Sequence, residues 1–303
     1  MKFSSAAKQA DKMATALAKD LNDKLDSVGT IATYQAALKT AAAYMVERGE
    51  HLRDITPERA AEYLADRAAE VGQSQLDKDR QALQAVMHHI NGNLDKNQTL
   101  DRIQSERETI QSSRAYTPEQ IQAIADRQTD RNGLATEIAH AAGLRAHELA
   151  TLARVEERPA DVREFPKDDI RTAAQAHKFE GREGERYTVT GKGGLTREVV
   201  IPRELAERLE ERRLEEPRTI EDRGIFYETR YEIGSGNAWS KSFSDASQKE
   251  LEFSHGAHGA RHSYAQERMT ELRELGHDRE TALAIVSQEL GHFRPEITET
   301  YLR

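Results

Sequence analysis

The chain has 303 residues, 37% hydrophobic, 32% charged and 6% aromatic, with a formal net charge of −9 and no cysteine. That length fits two domains of ordinary size, and the missing cysteines exclude disulfides, thiol nucleophiles and cysteine-based zinc sites. No apolar run approaches the ~20 residues that span a bilayer, and the start Met1-Lys2-Phe3-Ser4 lacks a signal-peptide core. A cytoplasmic protein without membrane contact is therefore expected. Its acidity argues for weak sequence-independent attraction to nucleic acid, although net charge does not fix the field at any one face.

A helix is expected from about Ser5 to Leu25. Ile31, Tyr34, Leu38, Ala41 and Met45 recur at helical spacing and predict a second. Thr56 as N-cap and Pro57 in the first turn begin a third, with Ala61, Leu64, Ala68 and Val71 as its apolar stripe. Ser74 can cap a fourth, carrying Leu76, Leu83, Met87 and Ile90 and ended by Asn91-Gly92-Asn93. These four make a compact bundle over residues 1–112. Residues 96–115 are polar, show no sustained stripe, and read as a linker.

The second domain, 113–303, opens with a capping box at Thr117-Pro118-Glu119-Gln120, followed by Ile121 and Ile124 on one face. Leu134 and Ile138 mark a helix that stops near Gly143, which puts Arg145 at a helix junction. The stretch 154–186 is charged, broken by proline and glycine, and reads as irregular. Tyr187–Thr190 and Arg197–Ile201 flank Gly191-Lys192-Gly193-Gly194 as a hairpin with Lys192 at its tip. Helices are expected at roughly 204–214, 240–251, 259–272 and 278–290, with a short last one from Pro295. The expected fold class is mainly α: a small N-terminal helical bundle plus a larger, mostly helical domain with a small β-hairpin.

Taken singly, the chemically suggestive residues have ordinary readings. Arg145 with Glu148 is a helix ion pair, Gly-Lys-Gly-Gly a turn, and Gly291-His292 a helix C-cap. His258 and Arg261 say more, because the i, i+3 spacing puts both on one face near a helix N-terminus, an end that favours anions. His255, His258 and His262 could also serve a metal. However, no HExxH spacing and no convincing carboxylate partner accompany them, so phosphate binding is preferred and neither metal nor cofactor is expected. Together, Arg145, Lys192, His258, Arg261, His292 and Tyr301 suit one chemistry. Guanidiniums and imidazoles grip a phosphodiester, a lysine protonates the leaving oxygen, and a tyrosine attacks phosphorus.

The order and separations of Gly143-Leu144-Arg145-Ala146-His147-Glu148, Gly191-Lys192-Gly193, His258-Gly259-Ala260-Arg261-His262, Leu290-Gly291-His292 and, nine residues on, Tyr301 resemble the catalytic domain of the tyrosine recombinase (phage integrase) family. The resemblance covers about residues 116–303. The N-terminal bundle is similar to the family's DNA-clamping domain in size and character only. The resemblance implies a site-specific DNA recombinase or integrase that works through a 3′-phosphotyrosyl intermediate. Arg145, Arg261 and His292 would steady the phosphate, His258 would take the tyrosine proton, Lys192 would be the general acid, and Glu148 would support Arg145. It implies double-stranded DNA recombination sites as partners, a homo-tetramer on paired sites, and room for accessory DNA-bending proteins. A type IB topoisomerase-like relaxing enzyme and a non-catalytic DNA-binding regulator on the same scaffold stay open, with a metal-dependent hydrolase behind them. Two departures stand out. The sequence stops two residues after Tyr301, where family members often continue into a helix that packs on a neighbour. The 154–186 stretch is also longer than the short strand connection expected, and it has no assigned role.

Overall fold

The structure, a computed structural model, describes residues 5–20, 28–108, 112–166, 169–191 and 193–303. The chain divides into two compact units, Met1–Ile110 and Gln111–Arg303.

The first unit is built on α1 (Ala6–Asp20), α2 (Val28–Glu47), α3 (Pro57–Ala68) and α4 (Gln73–Val86). Leu17, Leu38, Leu64, Leu83 and Val86 meet in its core. The part of the expected first helix beyond Asp20, up to residue 27, lies outside the described residues. The Thr56 cap is present, its hydroxyl accepting from the Arg59 N–H. The inward face of α3 is carried by Ala60, Tyr63, Leu64 and Ala68, whereas Ala61 is exposed. Tyr63 decides that face, because its buried hydroxyl finds a partner in Asp79 on α4. The fourth helix starts after Gly72 rather than at a Ser74 cap, and its end widens into a π-turn over Met87–Asn91 before Gly92 at φ +71° stops it.

Residues 96–108 are no free linker. Leu100 is buried, its N–H donates to Gln84, and its carbonyl accepts from Arg80. Ser105 N–H donates to Gln73, and Arg102 forks onto Asp77. The polar side chains of α4 thus satisfy the backbone of an irregular strap, an arrangement that leaves no apolar period to read.

The second unit contains α5 (Pro118–Asp126), α6 (Asp130–Ala141), β1 (Ala153–Arg154), α7 (Ile170–Ala176), β2 (Glu185–Thr190), β3 (Thr196–Ile201), α8 (Arg203–Glu210), β4 (Arg213–Asp222), β5 (Ile225–Tyr231), α9 (Gly236–Leu251), α10 (His258–Glu274), α11 (Arg279–Glu289) and α12 (Pro295–Thr298). The capping box at Thr117 and Gln120 forms in full. β1, β2 and β3 make an antiparallel sheet, with Thr190 opposite Thr196 at the turn. One core gathers Ile124, Leu134, Ile138, Leu149, Val189, Ile201, Trp239 and Phe243. A second gathers Tyr264, Leu272, Ile285, Leu290 and Tyr301 where α10 and α11 pack.

Two expectations are corrected here. The helix expected over 204–214 ends at Glu210, and the chain turns into the β4–β5 hairpin through Arg223-Gly224, both at positive φ. A run rich in Glu and Arg reads as helix by propensity. Pairing with β5 and burial of Tyr231 override it, with a register shift between Arg213 and Arg218 around Pro217. The 154–186 stretch contains α7, capped by Asp169 and packed against α11.

Candidate active site

Arg145 follows the left-handed turn at Gly143 (φ +61°), where an added Cβ would meet Tyr264 at 2.7 Å and Leu290 at 2.9 Å. Only glycine lets α6 end this close to α10 and α11. The Arg145 side chain is 27% exposed and donates to Glu148 Oε1 at 2.8 Å, while the Arg145 N–H donates to Oε2 at 2.8 Å. Glu148 itself is fully buried. Its Oε2 also accepts from Arg197 at 2.9 Å and lies 3.7 Å from Arg261 Nη1. Burial alone would raise its pKa, but Arg197, Arg261 and Arg145 outweigh that and hold it well below the ordinary carboxylate range. Three guanidiniums around one carboxylate leave a surplus of positive charge, which suits an anion.

Arg197 was not among the residues singled out from sequence. It is buried on β3 and also donates to the Glu289 carbonyl at 2.7 Å. Gly291 lets it pass, because a Cβ there would stand 2.7 Å from Arg197 Cδ. The signal available was an arginine in the apolar strand Thr196–Ile201, where a buried charge requires partners.

Arg261, in the first turn of α10, is completely buried. Its guanidinium donates to the carbonyls of Gly143 and Leu290 and, through Nη2, to His292 Nε2 at 3.2 Å. Burial and the nearby Arg145 push its pKa down, yet a guanidinium keeps its proton at neutral pH. Because arginine only donates, His292 Nε2 must accept, which leaves the ring proton on Nδ1 facing Thr298 Oγ1 at 3.3 Å. In this arrangement His292 steadies Arg261. Donation from Nε2 to a phosphate oxygen would require the other tautomer.

Tyr301 is 7% exposed, in a single 3₁₀ turn after α12. Its hydroxyl lies 3.1 Å from His258 Nε2. Its ring sits among His262 (centroids 4.7 Å apart), His292 (5.0 Å) and His258 (5.3 Å), with Arg261 Cζ 5.7 Å from its centroid. Gln266 holds the Tyr301 carbonyl, and Arg279 forks onto Glu299 to moor the turn. Although part of the His258 ring meets solvent, burial of the rest and the adjacent Arg261 push its pKa down to about 4. Burial and neighbouring arginines take His262 to about 4 and His292 to about 3. At neutral pH His258 is therefore an uncharged acceptor facing a phenol.

Five of the six residues picked from sequence converge in this way. Lys192 lies outside the described residues. Its flanks close a turn in which Gly191 N–H donates to the Leu195 carbonyl at 2.8 Å. The backbone of His255 is tied to Tyr116 and Arg114. The 154–186 stretch braces the pocket from outside. Phe165 packs on Phe293 (centroids 6.1 Å apart) and Arg163 lies over the same ring, directly after His292.

No protein-family model and no curated protein matches the sequence. Solved structures do. The XerH site-specific recombinase bound to difH is similar, with a TM-score of 0.54 at 19% identity over 97% of this chain and 81% of that one. The lambda integrase tetramer bound to a Holliday junction gives 0.56 at 17% identity over 98% and 76%. The Tn1549 transposon integrase with transposon right end DNA gives 0.51 at 13% identity over 96% and 94%. The fold is that of the tyrosine recombinases. Within it, the pocket formed by Arg145, Arg261, His258, His292 and Tyr301 is where this chain brings its phosphate-suited groups together.

Proposed function

We propose that the protein is a site-specific DNA recombinase or integrase that cuts and rejoins strands through a 3′-phosphotyrosyl intermediate. The observation that carries this is the Tyr301 hydroxyl 3.1 Å from His258 Nε2, with the Arg261 guanidinium against the Tyr301 ring. His258 takes the phenol proton as Tyr301 attacks phosphorus, and Arg145, the more exposed guanidinium, meets charge growing on the non-bridging oxygens. Arg261 supports the same charge from beneath, held by His292. Lys192 protonates the departing 5′ oxygen. A 5′-hydroxyl of the partner strand then attacks the phosphotyrosyl link and frees Tyr301. Bond energy stays in the covalent intermediate, so the cycle runs without ATP. The first unit serves as a clamp on duplex DNA, and the active assembly is a homo-tetramer on paired sites; the similar lambda integrase is a tetramer on a Holliday junction.

The test is strand exchange between two differently labelled duplexes carrying sequence that flanks the gene. Products joining the two labels are expected. Relaxation of a single supercoiled duplex with no joined product would instead identify a topoisomerase-like enzyme. Binding without any cleavage would identify a regulator.

A further inference from the structure

Away from the anion pocket, at the end of the 154–186 stretch, His177 Nδ1 and His277 Nε2 both face Glu180 Oε2, at 2.7 and 2.9 Å. The three ligand-capable atoms lie within 4.8 Å of one another, and the imidazoles meet edge to face with centroids 4.9 Å apart. We propose that His177, Glu180 and His277 form a binding site for a divalent transition ion of the zinc type, which clasps the 177–180 turn to the turn between α10 and α11.

The donor set points to that class of ion. Two imidazoles and one carboxylate suit zinc and its neighbours, whereas magnesium and calcium prefer oxygen throughout. Metal–ligand distances of about 2.0–2.2 Å need only small side-chain rotations from this geometry. Without an ion, one carboxylate oxygen serves two imidazoles only if each carries its proton on the facing nitrogen. An ion accepts a lone pair from all three groups.

The backbones beneath the ligands are fixed by unrelated contacts. Phe179 is buried, takes φ +62° and donates its N–H to Glu289 at 2.8 Å. The Glu180 carbonyl accepts from Arg268 at 2.8 Å. The His277 carbonyl accepts from Arg273 at 2.9 Å, and its N–H donates to the Leu272 carbonyl at 3.1 Å. The side chains of His177 and Glu180 remain 45% and 42% exposed, so a hydrated ion can enter and keep water in its remaining position. The clasp would pin the 154–186 stretch to α10 and α11, the helices that carry His258 and Arg261 and lead into His292. It makes no demand on the DNA chemistry and stands whether or not that chemistry is confirmed.

The experiment uses the full chain, stripped with chelator and free of any affinity tag, titrated with zinc chloride by calorimetry and followed in a thermal melt. One zinc per chain and a raised melting temperature are expected. Glu180→Gln and His277→Ala should each weaken binding by more than about tenfold, since losing even an outer partner of a metal ligand costs that much. His89→Ala, which removes an imidazole outside the cluster, should bind as the wild type does. Cobalt(II) added to the wild-type protein should give visible ligand-field bands that zinc abolishes, a readout that needs no variant to fold. No zinc uptake by the wild-type chain, or equal uptake by Glu180→Gln and His277→Ala, would overturn the proposal.

Discussion

Arg145 keeps about a quarter of its side chain in solvent, whereas Arg261 is sealed beneath it against two backbone carbonyls and His292. Their loss should therefore read differently. Arg145→Ala should lower cleavage by about 10²–10³-fold, the range for deleting one preorganised donor, and leave the melt nearly unchanged because Glu148 keeps Arg197 and Arg261. Arg261→Ala should lose cleavage and also about 2–6 kcal/mol of stability, because it strips the buried carbonyls of Gly143 and Leu290 of their donor at ~1–3 kcal/mol each. Unfolding curves beside cleavage rates would check both. Lys192→Ala should be rescued by a 5′-bridging phosphorothiolate, which leaves without protonation, and the arginine variants should not be. Rescue of all three alike would remove Lys192 as the acid. The histidines set the pH response. His258, His262 and His292 all have folded pKa values below the unfolded value of about 6.5. The unfolded chain therefore takes up protons first as pH falls. Their contribution is full above about pH 6.5 and lost as pH drops toward 4 and then 3. The melting temperature should fall through that window, and a flat profile from pH 7 to 4 would contradict the depressed values.

At the scale of elements, the junction of α10, α11 and the 154–186 stretch rests on Glu289. This buried carboxylate accepts from Arg268, Tyr264 and the Phe179 N–H. Glu289→Ala takes the shared acceptor from Arg268, the Tyr264 hydroxyl and the Phe179 N–H, leaving Arg268 with Glu271 and the Glu180 carbonyl, and should cost ~3–5 kcal/mol in a denaturant titration; a loss under about 1 kcal/mol would show that the network relaxes. None of this was legible beforehand, because Glu289 and Arg268 look like surface charges until the fold buries them. What was legible were features with local causes. The capping box at Thr117 and the Thr56 cap follow from side chains that satisfy nearby backbone, and the turn between β2 and β3 from the positive φ that Gly193 and Gly194 adopt freely. The β4–β5 hairpin was not, since its turn at Arg223-Gly224 lacks an asparagine or aspartate in the first position and its strands are rich in Glu and Arg. The strap over 96–108 was missed for a related reason: it is held by side-chain-to-backbone bonds rather than by an apolar stripe. At the site, it was the resemblance to the tyrosine recombinase family that singled out Arg145, His258, Arg261, His292 and Tyr301 as one set. The tautomer of His292 and the carboxylate hub at Glu148 needed coordinates.

For the molecule as a whole, a net charge of −9 means that the positive field must be local, gathered where three arginines surround Glu148. Few phosphates are then neutralised, and DNA affinity should fall only shallowly with salt, because the slope scales with their number. Because fixed guanidiniums supply charge neutralisation, strand cleavage should persist in EDTA even where the chelator lowers the melting temperature by emptying the clasp at His277. Strict dependence of cleavage on added divalent ion would bring back the hydrolase reading. On paired sites, light scattering should show four chains per complex, and full activity from a chain held monomeric on one half-site would argue against that assembly. The central claim is that Tyr301 becomes covalently joined to a DNA 3′-phosphate. The most direct test incubates wild-type protein and Tyr301→Phe with a nicked suicide duplex bearing the flanking sequence, then looks for denaturation-resistant adducts and maps the modified peptide. The account predicts an adduct on the peptide containing Tyr301 in the wild type, none in Tyr301→Phe, and nearly equal DNA binding by both. An adduct formed by the phenylalanine variant, or one mapped to another residue, would contradict it.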